Sequence, residues 1–122
     1  MRKAFLAALV LAGGCSVIGH ERVEGWPELE IVEHRVPADE MAERCRKYAG
    51  FGGLPLACAE FNLAARRCDI WLSKSFAPQS LVEHERLHCA GYDHVGSTNM
   101  QRYLAHHRAA GGAAASAGGS RP

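Results

Sequence analysis

The alternation of apolar and polar positions divides the chain into short segments. Residues 29–36, LEIVEHRV, set Leu29, Ile31, Val32 and Val36 among charged side chains with partial period-two spacing, which predicts a strand ended by Pro37. Residues 38–49 carry Met41, Ala42, Cys45, Tyr48 and Ala49 at i, i+1, i+4, i+7 and i+8, positions that gather on one buried helix face. Asp39 and Glu40 fall in the first turn of that helix, where they suit its dipole, and Gly50 stops it. After a glycine-rich loop, residues 56–63 (LACAEFNL) and 68–73 (CDIWLS) predict a β-hairpin turning through AARR, although EFNLAARR also fits a helix. Pro78 opens a helix running to about Cys89 and closed by Gly91. Beyond a further loop, residues 97–108 predict a last helix with Met100, Leu104 and Tyr103 turned inward. Strand, helix, hairpin, helix, helix describes an α+β domain with a small antiparallel or mixed sheet.

Neither end fits that domain. Arg2 and Lys3 precede AFLAALVLA, residues 4–12, an apolar run too short to cross a bilayer. Basic head, short apolar run and small residues describe a secretory signal. LAGGC, residues 11–15, resembles the lipobox of bacterial lipoproteins, in which the cysteine is lipidated and becomes the new N-terminus. The resemblance implies membrane attachment through lipid on Cys15, and Ser16 in place of an aspartate points to the outer membrane facing the periplasm. Ala12 and Gly14 equally suit an ordinary signal peptidase, whose product would be secreted and soluble. The expected organisation is a signal peptide over 1–14, a linker over 15–25, a metal-binding domain over 26–108 and a disordered Ala/Gly/Ser tail over 109–122.

Cysteine counting fits an oxidising compartment. Of five cysteines, setting Cys15 aside leaves Cys45, Cys58, Cys68 and Cys89, enough for two disulfides. Bridging Cys58 to Cys68 across the hairpin and Cys45 to Cys89 is one of three pairings, all open at this point. The 14 basic and 13 acidic side chains nearly balance and form no basic stripe, so nucleic-acid binding has no electrostatic support.

The chemistry concentrates in VEHERLHCAGYDH, residues 82–94. His84 and His88, four apart on a helix, project from one face and can reach one ion. Glu85, about 100° around the helix from His84, can reach a water held by that ion and act as its general base. Gly91 lets the chain turn sharply out of the helix, so that His94 can return to the same ion. Three nitrogens leave a fourth position open, as in catalytic zinc sites. Asp93 is the rival third ligand. Tyr92 and Tyr103 could donate to an oxyanion but read first as half-buried packing residues, while His20, His34, His106 and His107 read as solvated and Trp26 and Trp71 as packing residues. Cys89 falls on the back of the helix, away from the ion, and reads as an anchor.

HERLHCAGYDH matches H-E-x-x-H-x-x-G-x-x-H and so resembles the metzincin zinc peptidases. Chance gives the short HExxH part in roughly three chains of this composition per hundred, and the full pattern in roughly two per ten thousand. The resemblance implies a compact zincin-like domain, Zn2+ held by His84, His88 and His94, Glu85 as general base, and a peptide or protein substrate beside an edge strand, for which residues 68–73 are the candidate. The family's methionine turn has no counterpart at the usual distance; Met100 lies in a predicted helix. A zinc-dependent metallopeptidase, secreted or lipid-anchored, is the leading expectation. A non-enzymatic envelope lipoprotein with a structural zinc and a periplasmic metal-binding protein are the alternatives.

Overall fold

The computed structural model describes residues 19–48 and 55–118. The signal segment and Cys15 lie outside the described residues, as do Ala49 and Gly50. In chain order the elements are β1 (His20–Arg22), β2 (Glu30–Val36), α1 (Ala38–Cys45), a 3-10 turn (Arg46–Tyr48), β3 (Ala57–Asn62), β4 (Arg67–Ser73), α2 (Gln79–Cys89), β5 (Tyr92–His94) and α3 (Asn99–Gly118). The fold is α+β, with three helices and two small sheets. No helix among the described residues is long and apolar enough to cross a membrane.

The main sheet has the order β2-β4-β3, with β2 parallel and β3 antiparallel to β4. The strand expected at the edge, residues 68–73, is therefore central, and β2 and β3 are the edges. The hairpin forms rather than the competing helix, and Asn62 braces its turn. The Asn62 side-chain oxygen accepts from the Ala65 amide at 3.0 Å, and Arg66 takes a positive φ of 51°.

Register decides which residues share a face, because cross-strand partners point the same way and neighbours alternate. Phe61↔Cys68, Ala59↔Ile70 and Ala57↔Leu72 face α2 and α3. Cys58↔Trp71 and Glu60↔Asp69 face the side covered by α1. Cys58 and Cys68 thus lie on opposite faces, which excludes a bridge between them. Cys68 instead bonds Cys89 of α2, and Cys45 of α1 bonds Cys58. The two helices are stapled to opposite sides of one sheet. Between the first staple and α3 lies the main core, where Ile70 and Leu72 are fully buried among Leu63, Val82, Met100 and Leu104. Each such aliphatic side chain contributes roughly 1.5–3 kcal/mol.

On the α1 side, part of the sheet is uncovered. There the His34 ring stacks on Trp71 at 4.1 Å and meets Asp69 Oδ1 at 2.6 Å, so His34 is engaged rather than solvated. The Arg44 guanidinium lies 4.2 Å from the centre of the Trp71 ring. Burial pulls the Asp69 carboxyl up, but hydrogen bonds from Arg67 and His34 outweigh it and hold the group below its ordinary value.

Two boundaries differ from expectation. The expected linker over 15–25 contains β1, and Val23 is part of the core. Its strand partner, β5, is far away in sequence, so no local pattern announces the pairing. The expected disordered tail over 109–122 is helical as far as Gly118, continuing α3. Alanine-rich sequence favours helix without needing an apolar face to bury.

Candidate metal centre

α2 supplies the first two histidines. His84 Nε2 and His88 Nε2 stand 3.2 Å apart, one helical turn from each other. The helix ends at Gly91, whose φ of +97° turns the chain back, and β5 then carries His94 Nε2 to 3.3 Å from His84 Nε2. Two metal–nitrogen bonds of about 2.0–2.1 Å at a tetrahedral angle separate their nitrogens by about 3.3 Å. These spacings therefore fit three ligands of one tetrahedral ion. The His88 Nδ1–H donates to the Tyr92 carbonyl at 2.7 Å, which fixes the ring and directs Nε2 toward the centre.

A fourth histidine joins them. His20 on β1 pairs in register with His94, and its ring centre lies 4.9 Å from that of His84 and 5.0 Å from that of His94. Ligand atoms of His20, His84, His88 and His94 all lie within 4.8 Å of one another, and four such side chains can hold a metal ion. His20 read as solvated in sequence because nothing around it is periodic. The available signal was indirect: Val23 and Trp26, just downstream, are large apolar residues that must be buried, and burying them fixes the segment that carries His20.

Asp93 stands apart from this cluster. Its carboxylate accepts from the His94 amide at 2.8 Å and, through its other oxygen, from the Met100 amide at 3.1 Å in the first turn of α3. Burial pushes the Asp93 carboxyl up, but the amides of Met100 and His94 and the Ser97 side chain together hold it below its ordinary value. Its work is to lock β5 to α3 and so to position His94.

The cluster is electrostatically prepared for a cation. Burial, reinforced by the neighbouring His88, His20 and His94, pushes His84 down to about 4. Burial also lowers His88. Neutral imidazoles are the form that ligates a metal. Glu85 is only 7% exposed, and burial raises its carboxyl to about 7. A divalent cation close by would pull it back toward the ionised form.

Glu85 and the three motif histidines line a cleft of about 480 Å³. Ala57 to Phe61 of edge strand β3 and Met100 and Tyr103 of α3 line it as well. His20 is not among the lining residues. The Tyr103 hydroxyl donates to the Phe61 carbonyl at 2.7 Å, so it is committed to the strand. Tyr92 lies on β5 with the Arg22 guanidinium over its ring. His106 is exposed and His107 half-buried on α3, and neither belongs to the cluster. No protein-family model, curated protein or solved structure matches the chain.

Proposed function

We propose that this protein is a zinc-dependent hydrolase, a metallopeptidase acting on peptide or protein chains, with Glu85 as general base. The observation that carries the reading is a buried carboxylate, Glu85, in the same cleft as three histidines at tetrahedral spacing. A structural metal site has no use for an acid–base group beside its ligands. Imidazole donors suit zinc among several transition metals, and His84, His88, His94 and His20 are the residues that would hold it. A zinc ion held there would supply Lewis-acid polarisation of a carbonyl and activation of water. Glu85 takes a proton from the attacking water and returns it to the departing amine. Edge strand β3 offers backbone groups along which an extended chain can lie, which favours a peptide substrate over a small ester. Two disulfides support an oxidising compartment, and the lipobox-like LAGGC supports a cell-envelope protein anchored through Cys15.

One observation favours a second reading. Four histidine nitrogens saturate a tetrahedral ion, as in a non-enzymatic protein with a structural zinc.

Elemental analysis of untagged protein made in an oxidising compartment, together with cleavage of a fluorogenic peptide library, separates the two. The hydrolase reading expects one zinc per chain, and Glu85→Gln keeping that zinc while losing at least about 100-fold in turnover. Undiminished cleavage by Glu85→Gln removes Glu85 from the mechanism. A folded wild-type chain without zinc removes both readings.

A further inference from the structure

Resting on the hydrolase reading, we propose that strand β1 is an internal latch, in which His20 fills the fourth ligand position of the metal centre and its withdrawal opens that position. The four histidines are not held alike. His84 and His88 sit on a helix stapled to the central strand through Cys89–Cys68 and tied to β2 by an Arg86–Glu33 ion pair. His94 follows Asp93, whose carboxylate is locked by two backbone amides. His20 rides on a strand of three residues that pairs with β5 alone.

The strand also has a built boundary. Residues from Val23 onward belong to the core: Val23 and Trp26 are buried, Trp26 Nε1 donates to the Cys89 carbonyl at 3.1 Å, and Arg108 donates to the Gly25 carbonyl at 3.2 Å. Upstream of Val23, Glu21 and Arg22 are exposed, and the strand is held by its ladder to β5, including Val95 N–H to the Gly19 carbonyl at 3.0 Å, by the Gly96 amide donating to the Glu21 carboxylate at 3.4 Å, and by Arg22 over the Tyr92 ring. Residues 20–22 can therefore peel away while the chain from Val23 stays docked. His84, Glu85, His88 and His94 sit on elements other than β1, so the motion leaves their backbone in place.

With His20 in place, four protein nitrogens leave a tetrahedral ion no position for water or a carbonyl oxygen. With His20 withdrawn, three remain, and one ligand position is free for a water or an added ligand. The two states account for a centre that carries both a saturating ligand set and a buried acid–base group.

The probe is acetohydroxamate, a small bidentate metal ligand, titrated into the full Co2+-loaded chain and followed by the visible absorption of the metal. Two variants release the latch differently. His20→Ala removes the ligand. Glu21→Pro keeps His20 but weakens the ladder: Val23–Gly91 and Gly19–Val95 are hydrogen-bonded pairs, so antiparallel alternation makes Glu21–Asp93 one too, and proline cannot donate there. Both variants are expected to keep one metal, show a changed cobalt spectrum, and bind acetohydroxamate at least about tenfold tighter than wild type. Equal affinity in wild type and both variants overturns the latch and leaves the hydrolase reading standing. Loss of metal and fold from His20→Ala, with wild-type affinity in Glu21→Pro, makes His20 a fixed structural ligand and also overturns the latch. Tighter binding in both variants without peptide cleavage by any form keeps the latch and removes the hydrolase.

Discussion

Gly91 meets two separate demands. Its φ of +97° lies where L side chains are strained, and a Cβ built there falls 2.7 Å from Trp26 Cγ. Gly91→Ala must therefore adopt the strained turn and displace a core tryptophan whose indole N–H is bonded to the end of α2. The expected cost is about 2 kcal/mol or more, read from urea unfolding of the metal-free chain, with weakened metal affinity because His94 follows the same turn. An unchanged unfolding midpoint would show that the turn relaxes freely. The motif spacing made this glycine legible in sequence as a turn residue; that Trp26 packs onto it was not, because the two lie 65 positions apart in the chain. The same division holds for the ligands. His84 and His88 are read from helical period alone, whereas His94 and Asp93 are equally placed until the α3 amides are seen to engage the Asp93 carboxylate.

Elements with strong local periodicity were legible: β2, the β3–β4 hairpin, α1 and α2. The β1–β5 pair was not, since each strand has three residues and no alternation to read. Nor was the disulfide pairing, because it depends on which sheet face each cysteine takes, and the four-residue hairpin turn sets that parity. The consequence is mechanical. Cys68–Cys89 joins the central strand to the last residue of α2, directly behind the histidine face of that helix. Replacing both cysteines with alanine should lower stability by about 2–4 kcal/mol, given the chain length the bridge closes. Guanidinium unfolding measures this, and zinc competition against a chromogenic chelator should show weaker binding in the same variant. Full affinity without the bridge would mean that packing of Val82 and Leu104 alone fixes the helix.

At the scale of the whole molecule, the metal centre lies where β1, α2 and β5 meet, and it adds a side-chain tie between β1 and α2 to the β1–β5 ladder. The main core and both disulfides lie elsewhere, around the three-stranded sheet. Chelation should therefore loosen one corner rather than melt the domain, in contrast to small zinc folds that have no other core. A site with zinc at 100 times its dissociation constant adds about 2.7 kcal/mol, which in a domain of this size raises Tm by on the order of 10 °C. Thermal unfolding with and without chelator should show a loss of that order with a cooperative transition retained. Hydrogen exchange on the chelated protein should find protection lost in β1 and β5 and kept in β4. His84→Ala should show no chelator effect at all. Complete melting of the wild type on chelation would instead make the four histidines the main structural support of the fold, and the cleft beside Glu85 would then have no mobile ligand to open it.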